Sequence, residues 1–303
     1  MKPKVLISGG TGLVGQAITA ILDNNHYEVA YLSRSKKETA RKIFLWNPEK
    51  AEIDPEAIEY ADVIIHLAGE NISSGQWTVA QKKKIISSRV ESTKLLENAI
   101  QSADKKPVAF VSASAIGYYG SITTDKVFSE GDAAGKDFLA ETVIKWENSV
   151  KQIHQIGIPT AILRIGVVMS KKGGALPKML LPVKWGIGSA IGTGKQWVPW
   201  IALEDLARLF LFVIESRISK TSSKDLTIYN AVSPSEINNR DLMKQLAKAL
   251  NKPFFMPAVP GFIFKMLYGE MSTILLEGSR VSAQKLQEEG FKFNTSKIEE
   301  LFH

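Results

Sequence analysis

Lys4-Val5-Leu6-Ile7-Ser8 runs directly into Gly9-Gly10-Thr11-Gly12-Leu13-Val14-Gly15, after which apolar residues recur at helical spacing as far as Asn24. A short apolar strand, a glycine-rich turn and an amphipathic helix in immediate succession predict the opening of a βαβ unit. A Gly-x-Gly-x-x-Gly match is a weak signal alone, but in this setting each glycine has a task. One makes the tight turn, one lets the backbone approach a pyrophosphate, and one packs the helix closely on the sheet. The helix N-terminus adds free N–H groups and a partial positive charge. Gly9, Thr11, Gly12, Leu13, Val14 and Gly15 are therefore the expected dinucleotide contacts, against the plainer reading of a tight turn with no ligand.

A second strand, Glu28 to Leu32, should carry its tip to the adenosine ribose. An acidic residue there accepts the free 2′-hydroxyl of NAD. This chain instead has Ser33-Arg34-Ser35-Lys36-Lys37. A carboxylate would repel a 2′-phosphate, whereas a guanidinium grips it with two charge-assisted hydrogen bonds. The expected cofactor is NADP(H), with Ser33 and Arg34 at its phosphate; the plainer reading is a solvated basic turn.

Outward from this unit, strands at Ala61–Leu67, Pro107–Ala113 and Pro159–Val168 alternate with helices at Thr78–Ser102 and Asp137–Gln155. Near-continuous apolar strands alternating with helices predict an α/β fold, a Rossmann-type doubly wound parallel sheet covered on both faces. From Ser170 to Trp200 the chain is rich in Gly, Pro and Trp and reads as an ordered functional loop or small subdomain. Regular elements return at Leu203–Ser216, Leu226–Val232 and Asn238–Asn251, followed by short helical pieces. The expected division is a cofactor domain of residues 1–169 and 203–232, with 170–202 and 233–303 forming a smaller C-terminal α+β substrate or lid region.

The 303 residues are 45% hydrophobic and 23% charged, ordinary globular values that exclude whole-chain disorder, collagen and coiled coil. Zero cysteines exclude a disulfide framework, a thiolate metal site and a cysteine nucleophile, and point to a reducing, cytoplasmic setting. The four histidines have no metal-ligand spacing. Apolar runs such as Leu209 to Ile214 fall far short of the roughly 18 residues of a membrane span. A net charge of +7 suits an anionic cofactor; the basic residues are scattered, without aromatic interleaving, which argues against nucleic acid.

With Gly9–Gly15, His66-Leu67-Ala68-Gly69-Glu70-Asn71-Ile72, Ser88-Arg89-Val90, Ser112-Ala113-Ser114-Ala115-Ile116-Gly117-Tyr118-Tyr119-Gly120, Leu163-Arg164-Ile165-Gly166-Val167-Val168, Gly194-Lys195-Gln196-Trp197 and Gly278-Ser279-Arg280-Val281, almost the whole chain resembles one group. It is similar to the extended short-chain dehydrogenase/reductase superfamily. More narrowly it resembles the epimerase-like family typified by YfcH, which joins an epimerase/dehydratase region to a small C-terminal domain of unassigned function. The resemblance implies that Leu67, Ala68, Gly69, Glu70 and Ser112 border the cofactor, and that Arg164, Gly166 and Val167 lie by the nicotinamide. Trp46 falls where relatives line the adenine pocket, and a core position is the equal alternative.

The superfamily's chemistry uses a tyrosine as acid/base, a lysine four residues later, and a Ser or Thr on the substrate carbonyl. Ser114 fits the last role, but the tyrosine and lysine positions read Leu139 and Val143, neither able to transfer a proton. Tyr118, Tyr119 and Glu141 are the substitute catalytic candidates; alternatively the tyrosines shape the substrate floor and Glu141 caps or pairs. Lys195, Gln196, Trp197 and Trp200 offer polar hooks and aromatic walls for a small-molecule substrate, or else pack a second core. In relatives this region covers a nucleotide-sugar site, and extended relatives often form homodimers. Two readings stand: an NADP(H)-dependent oxidoreductase or epimerase-like enzyme with a substituted catalytic residue, and a cofactor-binding interaction protein with little or no chemistry.

Overall fold

The computed structural model describes residues 2–36, 40–219 and 225–302. Strands β1 (Lys4–Ser8), β2 (Glu28–Ser33), β3 (Ile43–Asn47), β4 (Glu52–Ile53), β5 (Val63–His66), β6 (Ala109–Ala115), β8 (Thr160–Ile165) and β12 (Leu226–Ala231) form one sheet in the order β12-β8-β6-β5-β1-β2-β3-β4. All pairings are parallel except β3 with β4. This is the doubly wound arrangement, with its order reversing between β1 and β5.

Alternation along β1 shows why both faces must be covered. Val5 and Ile7 point into one core with Ile18 and Leu22 of α1 (Leu13–Asn24) and Leu206 and Phe210 of α6 (Leu203–Ser219). Leu6 points into the other, with Leu96 and Ile100 of α3 (Val79–Ser102) and Trp146 and Val150 of α4 (Phe138–Gln155). The helix starts carry their own capping logic. Thr78 accepts from the Gln81 amide to begin α3, and Asp137 from that of Ala140 to begin α4.

The expected single strand at Pro159–Val168 is broken at Gly166, where a Cβ would lie 2.6 Å from the Pro199 carbonyl oxygen. There the chain leaves the main sheet and enters a small one, in which β9 (Val167–Ser170) runs between β10 (Gly173–Gly174) and β11 (Trp200–Ala202). The glycine-rich stretch also holds a regular helix, α5 (Ala175–Lys184). Its glycines flank the helix instead of interrupting it, so Leu176, Leu180 and Val183 share a buried face. They pack with Met169, Trp200 and, from α7 (Asn239–Ala249), Leu242 and Leu246, in a separate core. A two-stranded ribbon pairs β7 (Val127–Phe128) with β13 (Arg280–Val281), and the C-terminal region carries the short helix α8 (Gly261–Tyr268). Among the described residues no helix is long and apolar enough to cross a membrane.

Candidate active site

In open parallel sheets a ligand crevice is expected at the C-terminal strand ends where the strand order reverses, here between β1 and β5, and the glycine turn stands at that position. Gly9 takes φ +75°, a conformation that favours glycine, and its carbonyl accepts from the Gly12 amide at 3.0 Å. A Cβ on Gly15 would sit 2.5 Å from the Gly9 oxygen and 2.6 Å from the Gly10 Cα, so the start of α1 can lie against the turn only without one. Gly12 occupies the N-cap and gives no side-chain cap, while Leu13, Val14 and Gly15 form the first turn, whose amides have no acceptor within the helix. Free amides at a positive helix end, next to exposed Gly12, suit a diphosphate. Thr11 is anchored by its carbonyl, which accepts from the Gln16 side chain at 3.1 Å.

At the tip of β2 the Ser33 hydroxyl donates to the Ser35 carbonyl at 2.8 Å. Arg34 is exposed, and no described residue pairs with it. Lys37 of the same basic turn lies outside the described residues. Trp46 is only 6% exposed; it stands edge-on to His66, with ring centroids 6.3 Å apart, inside the core under α3 and α4.

His66 organises the opposite wall, a role that sequence reasoning missed. The Ser8 Oγ accepts from the amides of Leu67 (3.2 Å) and Ala68 (3.3 Å) and lies 2.7 Å from His66 Nδ1. Its own proton therefore goes to Nδ1, which leaves the proton of the neutral imidazole on Nε2. That nitrogen lies 3.2 Å from both Ser92 Oγ and Thr93 Oγ1, whose hydroxyls already donate to the carbonyls of Ser88 and Arg89. Burial, with the nearby Arg89 charge, pulls His66 down to about 3, so the ring is neutral through physiological pH. A buried histidine thus fixes the Leu67-Ala68-Gly69 turn through one serine. The available signal was the serine at the end of β1, which pairs in register with His66. Beyond the turn, the Glu70 amide donates to Ser88 Oγ, and its carboxylate pairs with Lys84. Ser112 is fully buried beside His66 on β6, with its hydroxyl on the Ala113 carbonyl.

Ser114, Arg164 and Asn230 are register partners across β6, β8 and β12. In parallel strands such partners share a face, and these three meet α4 and the turn after β6. The Ser114 hydroxyl donates to Glu147 Oε1 at 2.7 Å. Arg164 grips the same carboxylate with two bonds, Nε to Oε1 at 2.8 Å and Nη2 to Oε2 at 2.9 Å, and both residues are at most 2% exposed. Arg164 Nη1 donates to the Tyr119 hydroxyl (3.0 Å) and to the Glu130 carbonyl (3.2 Å). Asn230 Oδ1 lies 2.7 Å from the Tyr119 hydroxyl, and the Asn230 amide donates to the Glu130 carboxylate. Burial pushes the Tyr119 phenol up to about 12 despite the Arg164 charge beside it. Glu147 and Asn230, neither singled out in the sequence, are integral to this cluster.

The four candidate catalytic groups therefore differ sharply. Ser114 and Tyr119 are committed inside the cluster. Glu141 is exposed and paired with Lys145 one helical turn away, at 2.6 Å. Tyr118 is half-buried with its ring over Arg164, 3.4 Å from centroid to Cζ, and its hydroxyl has no partner among the described residues. Leu139 and Val143 face the same turn, next to Gly117.

The substrate candidates separate as well. Trp200 is wholly buried in the separate core, and Gln196 is buried with its Nε2 donating to the carbonyls of Ile191 and Leu275. Trp197 is half-buried, donates to the Thr124 carbonyl and lies under Arg280, and Lys195 is exposed. Val167 donates its amide to Pro199 at 2.8 Å, which ties the small sheet to the end of β8.

Residues 5–230 match the NAD dependent epimerase/dehydratase family, and residues 259–303 match a domain of unknown function, DUF1731. The chain belongs to the NAD dependent epimerase/dehydratase family. It is 36% identical to epimerase family protein YfhF of Bacillus subtilis, covering 97% of this chain and 95% of that protein. A crystal structure of human epimerase family protein SDR39U1 with NADPH superposes with a TM-score of 0.85 at 28% identity, covering 99% of this chain and 97% of that one. The nucleoside-diphosphate sugar epimerase of Corynebacterium glutamicum gives a TM-score of 0.77 at 29% identity, covering 99% of this chain and 57% of that one. The pairing of the epimerase/dehydratase region with the small C-terminal domain is the organisation that the resemblance implied.

Proposed function

We propose that this member of the epimerase/dehydratase family binds NADP(H) in the crevice between β1 and β5 and acts on a small, nucleotide-sugar-like molecule as an oxidoreductase or epimerase-like enzyme. The observation that carries the cofactor choice is Arg34, an exposed guanidinium without a described partner, at the strand tip where NAD selection would call for a carboxylate. The human relative crystallised with NADPH agrees with it. In this reading residues 1–169 and 203–232 hold the cofactor, and 170–202 with 233–303 cover the substrate.

The bound cofactor would supply or accept hydride. The chain itself would bind the diphosphate on the amides of α1, hold the Leu67–Gly69 turn through His66 and Ser8, and grip the 2′-phosphate with Arg34. Any proton exchanged with substrate would pass through the Tyr118 phenol, the candidate hydroxyl left unengaged among the described residues. Ser114, Glu147, Arg164 and Tyr119 act as the rigid support beneath it. The second reading, a loaded but chemically silent protein, draws on Leu139 and Val143, which give the turn after β6 an apolar neighbour incapable of proton transfer.

The test is to follow NADPH oxidation by the purified protein across carbonyl and nucleotide-sugar libraries, and to repeat any hit with Tyr118→Phe. Turnover lost in that variant supports the assignment, and turnover unchanged removes Tyr118 from it. No turnover across the library would favour the silent binder.

A further inference from the structure

Arg89, on α3, is a cation at the crevice that forms no ion pair among the described residues, with only the charge of nearby Glu70 acting on it. Among the described residues one donor of its guanidinium is used, Nη1 to the Ile85 carbonyl of its own helix at 2.8 Å, out of the five that an arginine carries. The nearest acidic neighbour, Glu70, forms its ion pair with Lys84 instead, at 3.3 Å. The Arg89 guanidinium is covered on one face by the Trp146 ring, 5.1 Å from Cζ to the centroid. A Cβ on Gly69 would stand 3.2 Å from that Cζ, so the glycine lets the turn sit directly on the guanidinium. Burial pulls Arg89 down to about 10 against the opposing charge of Glu70, and it is still well charged at neutral pH. Keeping a half-buried cation without an ion pair costs free energy, which an anionic ligand at that spot would offset.

The sheet order says which part of a dinucleotide would meet it. Arg34 follows β2, on one side of β1; Gly69 follows β5, on the other side, and Trp146 belongs to α4, packed over β6 and β8. A dinucleotide whose adenosine end lies at β2 and whose diphosphate crosses the start of α1 carries its nicotinamide half toward β5 and β6. We propose that Arg89 is a second cationic clamp of the site, gripping phosphate and ribose oxygens of the nicotinamide half, with the Gly69 turn and the Trp146 ring as its frame. This rests on the NADP(H) reading above. It also gives the exposed Gly69 and the Arg89–Trp146 stack a common purpose.

Calorimetric titration with two probes separates the proposal from its foundation: NADP⁺, and adenosine 2′,5′-bisphosphate, which lacks the nicotinamide half. Arg34→Ala should weaken both. Arg89→Gln should weaken NADP⁺ roughly 10- to 100-fold, the worth of one or two charge-assisted hydrogen bonds, and leave the bisphosphate unchanged. Arg89→Lys, which keeps the charge but not the fork, should fall between wild type and Arg89→Gln, and it carries the test should the glutamine variant misfold. Wild-type affinity for NADP⁺ in both Arg89 variants, or an equal loss for the two probes, overturns the clamp. A wild-type protein that binds neither probe overturns the cofactor reading itself.

Discussion

Replacing Glu147 with Gln would remove the anion from the buried cluster while keeping its size. Arg164 would then hold its charge at 2% exposure against a neutral amide, and breaking a buried pair from one side typically costs about 3–5 kcal/mol. Ser114→Ala removes a single donor from an oxygen that still receives Arg164 Nε, so about 1–2 kcal/mol is expected. Against a total stability of about 5–15 kcal/mol the first is a large fraction and the second is not. Urea unfolding followed by tryptophan fluorescence should place the Glu147→Gln midpoint well below that of Ser114→Ala. The double variant should fall close to Glu147→Gln, because once residue 147 is neutral the Ser114 hydroxyl has no charged acceptor left to lose. Exchanging both members of the pair, Glu147→Leu with Arg164→Met, should recover much of the loss. Equal midpoints for the two single variants would refute the view that Ser114 belongs to a scaffold held by an ion pair.

Arg34→Ala should weaken NADPH by roughly 10- to 100-fold and leave NADH nearly unchanged, measured by fluorescence titration; equal losses would remove the 2′-phosphate role. Gly15→Ala should abolish measurable NADPH binding and cost about 1–3 kcal/mol in urea unfolding, since its Cβ would meet backbone 2.5 Å away. His66 takes up a proton at about 3 when folded, against its ordinary 6.5. Between those values the unfolded chain binds more protons, so the wild type should be fully stabilised above about pH 6.5 and lose up to about 5 kcal/mol as the pH falls to about 3. His66→Gln should lack that share of acid sensitivity, and identical stability–pH profiles for variant and wild type would disprove the neutral buried ring.

The N-terminal unit was legible because its signals are local. The apolar run of Lys4–Ser8, the glycines that follow it and the periodic helix to Asn24 lie within one short stretch and constrain one another. Helix starts at Thr78 and Asp137 could be read for the same reason, because a cap needs only a partner three residues away. The helix at Ala175–Lys184 was obscured by counting its flanking glycines as part of it. Glu141 could be read two ways, and its Lys145 partner, one turn along the same helix, was present in the sequence.

Hydrophobic period and glycine spacing by themselves determined the doubly wound class and the position of the glycine cradle, and longer motifs such as those at residues 112–120 and 163–168 carried the family resemblance. Only the tertiary structure decided which polar groups remain available for chemistry. Ser114 meets a carboxylate 33 residues away and Tyr119 an amide 111 residues away, because parallel register brings β6, β8 and β12 level under α4. Hydrogen-bond partners at such separations depend on how strands align in space. Residue type marks a group as able to donate or accept; packing determines whether that capacity is already spent.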